Sequence, residues 1–123
     1  MQKIMVIDDE EHMRSMLKDF LGAEYEVTLA ANGLEAEKLL AKSTYDLLIT
    51  DLVMPEMNGI ELVISVKNRN PKQKMIAISG GGGITGRFDY LPVVELLGAD
   101  AIMAKPFELQ DLLKSVKAIL AKQ

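Results

Sequence analysis

Cysteine and tryptophan are absent from this 123-residue chain, and histidine occurs once, at His12. Without cysteine there is no disulfide staple, no thiolate zinc site and no cysteine nucleophile. A basic excess is missing as well: 14 Lys and Arg stand against 18 Asp and Glu, for a formal net charge of −4. That balance leaves no basic footprint for nucleic acid or an anionic membrane. No apolar run approaches the ~18 residues needed to cross a bilayer, and Met1-Gln2-Lys3 leads into only four apolar residues before Asp8. Composition therefore predicts a soluble, cytoplasmic protein. What the chain does have is a 49% apolar content. Chains of this length bury about two-thirds of the surface they expose when unfolded, enough for one domain with a real core.

Apolar runs alternate with helical periodicity along the whole chain. Lys3–Ile7, 47–50, Met75–Ser79 and Ala101–Ala104 are short, nearly continuous apolar runs, the pattern of parallel strands covered on both faces. At 26–31, Val27, Leu29 and Ala31 alternate with Glu26 and Thr28, which predicts an edge strand with one wetter face. Between the strands, Met13, Met16, Leu17, Phe20 and Leu21 recur at helical spacing, as do Leu109, Leu112, Leu113, Val116 and Leu120 near the end. Shorter helices are predicted at 36–40, 62–66 and 93–97. The first follows Asn32 with Glu35 three residues on, a capping-box spacing, and the last lies between Pro92 and Gly98. The order βαβαβαβαβα implies a parallel sheet with right-handed crossovers and helices on both faces. The eight methionines are assigned to packing, with Met5, Met13, Met16, Met75 and Met103 at strand or core-facing helix positions.

In a doubly wound sheet the site lies beyond the carboxyl ends of the strands. The first predicted strand runs into Asp8-Asp9, the third into Asp51, the fourth ends on Ser79 and the fifth leads to Lys105-Pro106. Three carboxylates, a hydroxyl and an ammonium thus meet at one edge. Clustered carboxylates repel one another unless a cation sits among them. Magnesium, which prefers carboxylate and carbonyl oxygens and often completes its shell with phosphate, fits such a set. With Ser79 and Lys105 placed to contact equatorial oxygens, the pattern points to phosphoryl transfer, which depends on positioning and charge neutralisation. A carboxylate can itself be the acceptor.

With these residues in view, the sequence resembles a receiver domain of a two-component response regulator over essentially its whole length, as a single domain at 1–123. The matching segments are Ile4-Met5-Val6-Ile7-Asp8-Asp9-Glu10, Asp46-Leu47-Leu48-Ile49-Thr50-Asp51-Leu52-Val53-Met54-Pro55, Gly59, Ser79, Gly98-Ala99-Asp100 and Lys105-Pro106-Phe107. The resemblance implies a flavodoxin-like (βα)5 fold with strand order 2-1-3-4-5. It implies that Asp51 is the phosphoacceptor, that Asp9 and Asp51 ligate magnesium (or manganese) directly, that Asp8 acts largely through water, and that the Val53 carbonyl completes the protein ligands. Ser79 and Lys105 correspond to the residues that hold the phosphoryl group, and the bond before Pro106 is expected to be cis. The implied partners are a sensor histidine kinase or histidine phosphotransfer protein and a downstream protein contacted through the fourth helix, fifth strand and fifth helix, with no nucleic acid or membrane. The implied role is a switch and not an enzyme.

Two departures stand out. Receivers usually carry an aromatic switch residue three positions before the lysine, and here that position is Ile102. The glycine run at 80–83 lengthens the connection after Ser79, and it predicts a segment that orders on phosphorylation, because glycine loses the most backbone entropy on ordering. Gly81, Gly83 and Gly86 also match G-x-G-x-x-G, but after the fourth strand, with no acidic residue closing the next one. Arg87-Phe88 after Gly86 rules out a P-loop. The main alternative, a magnesium-dependent phosphohydrolase with Asp51 as nucleophile, needs a second carboxylate where Val53 stands. His12 reads as a solvated residue on the first helix. A single histidine cannot make this chain a histidine kinase with its own ATP site, so phosphate must come from a partner.

Overall fold

A computed structural model describes residues 1–52, 59–79 and 98–122. Its strands are β1 (Lys3–Ile7), β2 (Glu26–Ala30), β3 (Leu47–Asp51), β4 (Met75–Ser79) and β5 (Ala101–Ala104). All neighbouring pairs are parallel, in the order β2-β1-β3-β4-β5. The helices among the described residues are α1 (Glu11–Leu21), α2 (Gly33–Leu40), α3 (Gly59–Arg69) and, at the C-terminal end, α4 (Leu109–Ala121). The helix predicted at 93–97, the glycine run and Val53 lie outside the described residues.

Successive strand residues point to opposite faces, and each face carries its own core. Ile4, Val6, Ile49, Ile76 and Ile78 pack with Leu17 and Leu21 of α1 and Leu112, Val116 and Ile119 of α4. Met5, Ile7, Leu48, Met75 and Ala77 pack with Ala36 of α2 and Leu62, Val63 and Val66 of α3. This two-sided burial is why the central strands read as unbroken apolar runs. Each fully buried aliphatic side chain contributes about 1.5–3 kcal/mol.

The edges behave differently. β2 lies at one edge as predicted, but its burial does not alternate: Val27, Thr28 and Leu29 are all half-buried and the strand ends on the buried Ala30. β5 forms the opposite edge, as the implied order 2-1-3-4-5 requires, although its apolar run alone read as covered on both faces, and Ala104 is exposed. A four-residue run is too short for its composition to separate an edge strand from a central one.

Helix ends also differ in detail. α2 begins at Gly33, directly after the Asn32 cap that the capping-box spacing predicted, so its helix includes the turn before the apolar run at 36–40, and α3 spans Gly59–Arg69, extending beyond 62–66 at both ends. Asn32 caps α2 by accepting from the Glu35 amide at 2.8 Å, while the Glu35 carboxylate accepts from the Ala31 amide, one residue before the usual capping-box partner. Gly98 has φ +103°, a left-handed conformation that suits glycine at the turn into β5. At the amino-terminal edge of the sheet, Asp100 accepts from the Met75 amide at 2.9 Å while its own amide donates to the Met75 carbonyl. The Lys74 ammonium donates to the Ile119 carbonyl at 3.0 Å and to that of Lys122, tying β4 to the end of α4.

Candidate functional site

The parallel register brings the strand ends into one row. Ile7 pairs with Thr50, Asp51 with Ile78, and Ser79 with Ala104, so the residues that follow or close these strands emerge on the same edge. The row is pinned by backbone bonds from Asp8 N to Ala30 O at 3.1 Å and from Leu52 N to Ile78 O at 2.9 Å. Thr50, fully buried, satisfies its hydroxyl by donating to the Asp51 carbonyl at 2.9 Å.

Carboxylate oxygens of Asp8, Asp9 and Asp51 lie within 4.8 Å of one another. Asp8 and Asp51 are 2% and 4% exposed, whereas Asp9 is exposed. Lys105 leans into the cluster, its ammonium 3.3 Å from Asp51 Oδ2 and 3.5 Å from both Asp8 Oδ2 and Glu10 Oε1. Burial pushes the Asp8 carboxyl above its ordinary value, and the neighbouring Asp51 and Asp9 charges act in the same direction; the Glu10 amide, donating to Asp8 Oδ1 at 2.9 Å, and Lys105 only partly offset this. For Lys105, burial is the largest single influence and favours the neutral form. The carboxylates of Asp51, Asp8 and Glu10 together outweigh it and hold the ammonium above its ordinary value.

Among the described residues one lysine faces three clustered carboxylates, and oxygen donors at this spacing are the set a hard divalent cation takes. Asp8, Asp9 and Asp51 fit magnesium by number, charge and proximity. The Lys105–Pro106 peptide bond is cis. Ser79 closes β4 beside Ala104, and Ile102 sits half-buried beside Ala77, on the α2/α3 side of the sheet. His12 is exposed on the first turn of α1. The Val53 carbonyl and Gly81 fall outside the described residues.

A family model described as the response regulator receiver domain matches residues 4–117. The chain belongs to this family. Among curated relatives, the transcriptional regulatory protein SrrA of Staphylococcus aureus is 34% identical to the receiver over 98% of its length. The receiver spans about half, 48%, of that relative. Among solved structures, a response regulator receiver domain protein from Clostridium thermocellum superposes with a TM-score of 0.89 at 27% identity, covering 98% of the receiver and 95% of that chain. The response regulator TrrA of Thermotoga maritima, solved in complex with magnesium and BeF, gives a TM-score of 0.83 at 31% identity, covering 97% and 99%. The receiver is thus a signalling switch of two-component systems on a CheY-like, flavodoxin-type fold. Among its described residues no helix is long and apolar enough to cross a membrane.

Two residues at this edge were not singled out from the sequence. Glu10 contacts Lys105, and Arg14 Nη1 donates to the Asp8 carbonyl at 2.8 Å, bracing the turn that carries the acidic pair. The signal for Glu10 was only its place in the unbroken acidic run Asp8-Asp9-Glu10-Glu11, which does not set it apart from Glu11. Arg14 had none, because its partner is a backbone carbonyl.

Proposed function

We propose that this receiver accepts a phosphoryl group on Asp51 from a phosphohistidine of a sensor histidine kinase or histidine phosphotransfer protein. The observation that carries the proposal is the convergence of three carboxylates and one ammonium at the strand ends, with Asp51 in contact with Lys105. Asp8, Asp9 and Asp51 would hold magnesium, joined by the Val53 carbonyl on the strength of the family resemblance. When bound, the metal supplies positive charge that offsets the carboxylates and the incoming phosphoryl oxygens.

An Asp51 carboxylate oxygen attacks phosphorus as the P–N bond to the donor breaks. The donor imidazole, protonated on its other ring nitrogen, leaves neutral with that electron pair. Lys105 neutralises charge on the equatorial oxygens, with Ser79 assigned the second contact by resemblance. Burial of Asp8 and Asp51 keeps bulk water from the floor of the site, which strengthens these charge interactions. The product is an acyl phosphate on the protein itself, so the chain acts as a switch without turnover of a separate substrate. Output is proposed to run through protein contacts made by the 93–97 segment, β5 and α4, with no nucleic-acid or membrane contact by this domain, which is taken as residues 1–123.

Incubation with magnesium and a small phosphodonor, read by intact mass, tests the proposal. One acid-stable, base-labile phosphoryl adduct is expected, lost in Asp51→Asn and on chelation. Equal uptake by Asp51→Asn would remove Asp51 as acceptor, and uptake unaffected by chelator would remove the metal.

A further inference from the structure

We infer that Glu10 is a positioning residue that receives the Lys105 ammonium when a divalent cation enters the acidic pocket, keeping it within reach of Asp51 until a phosphoryl group arrives. The inference rests on the reading of Asp8, Asp9 and Asp51 as the magnesium site. It begins from an asymmetry among the carboxylates around Lys105. Asp8 and Asp51, at 3.5 and 3.3 Å, belong to the buried group whose oxygens converge. Glu10, at 3.5 Å, is 64% exposed and lies outside that group.

Among the described residues the Lys105 ammonium is the cation in contact with both Asp8 and Asp51. A divalent ion held among Asp8, Asp9 and Asp51, with Asp8 acting largely through water as the family resemblance implies, would compete for the same negative charge and repel the ammonium at close range. Lys105 must then shift, and its backbone is tethered directly after β5. Among the described residues, Glu10 is the carboxylate already in contact with Lys105 that lies outside the metal-binding group. Its backbone is held in place, with its amide on Asp8 Oδ1 at 2.9 Å and its carbonyl accepting from the Arg14 amide at 3.1 Å, while the exposed side chain can follow the lysine. An ammonium released to water would have to be recaptured from many rotamers at each phosphorylation event. One kept on Glu10 stays a short swing away.

A double-mutant cycle on magnesium affinity, read from backbone amide shifts of the full chain, tests this. Glu10→Gln should weaken magnesium binding about two- to fivefold, the range of a partly exposed ion pair. In a Lys105→Gln background the same substitution should change affinity less. A simple field effect of the Glu10 charge runs the other way, because Lys105 then no longer neutralises Glu10, so a larger effect in the Lys105→Gln background would overturn the inference. The second readout is the Lys105 ammonium nitrogen resonance in saturating magnesium. It should keep an ion-paired shift in the parent and move to that of a free lysine in Glu10→Gln, and identical shifts in the two proteins would also overturn it. If the parent binds no magnesium, the pocket reading itself fails and takes this inference with it; if magnesium binds but the cycle is reversed, Glu10 alone is misassigned.

Discussion

Replacing Asp8 by Asn should make the metal-free protein more stable, although it removes a side chain from an ion pair. At an effective dielectric of about 20, the Lys105 contact at 3.5 Å is worth about 5 kcal/mol to the Asp8 carboxylate. Repulsion from Asp51, whose oxygen lies within 4.8 Å, costs at least about 3.5 kcal/mol on the same scale. Asp9 adds a similar term that its exposure cuts to about half or less. Attraction and repulsion therefore nearly cancel, leaving the cost of burying a carboxylate that is 2% exposed, which is several kcal/mol before its hydrogen bonds are counted. An Asn keeps the Oδ1 acceptor for the Glu10 amide, with a weaker bond by about 1 kcal/mol. The expected net gain is about 1–2 kcal/mol, or a rise in Tm on the order of 4–8 °C. The sign agrees with linkage: because the folded-state Asp8 pKa is raised, its ionised form opposes folding at neutral pH, and that penalty disappears as pH falls through the raised value toward the ordinary 3.8. Thermal and urea unfolding in chelator and in saturating magnesium would measure it. Magnesium should stabilise the parent more than Asp8→Asn, narrowing or reversing the gap. An Asp8→Asn protein less stable than the parent in chelator at neutral pH would refute the reasoning.

Three further outcomes follow from the same geometry. Magnesium affinity should fall as pH drops through the raised Asp8 value, since that carboxyl must lose its proton to act as a metal partner; titrations between about pH 7 and 4 would show the decline starting above the range of an ordinary aspartate. Leu112→Ala empties a fully buried position beneath α4 and should cost about 2–5 kcal/mol by urea unfolding while leaving the acidic pocket able to bind magnesium. Gly98→Ala places a side chain at φ +103° and should destabilise by about 1–2 kcal/mol, a penalty that a residue at an ordinary turn would not incur.

Much of this architecture was legible because each face of the sheet has its own core. Ile4 and Val6 serve one side, Met5 and Ile7 the other, and no polar residue could interrupt β1 without leaving a core unfilled. The site was legible for a related reason: in a parallel sheet the place where each apolar run stops is a place in space, so Asp8, Asp51 and Lys105 could be grouped before any coordinates. The start of α2 was marked by the Asn32 and Glu35 pair, whereas the last turn of α3 was less visible, since Lys67, Asn68 and Arg69 carry no apolar stripe. The edge position of β5 followed from the implied strand order and not from its own residues, since Ala101–Ala104 is apolar throughout although at most half-buried. Glu10 was overlooked because its role depends on where Lys105 comes to rest, a distance that no spacing in the sequence encodes.

Asp8 and Lys105 are 97 positions apart, and the contact between them closes only when β1, β3, β4 and β5 are all docked. A chain caught with β1 and β3 paired but β5 still loose would bring Asp8 and Asp51 together without the ammonium that tempers them. The acidic pair thus penalises that half-assembled form more than the finished one, and it rewards late arrival of the last strand. In folding terms the site is a source of frustration for intermediates, relieved by long-range closure or by a divalent ion. Magnesium present during refolding should consequently speed the step that joins β1 to β3, and not merely stabilise the product.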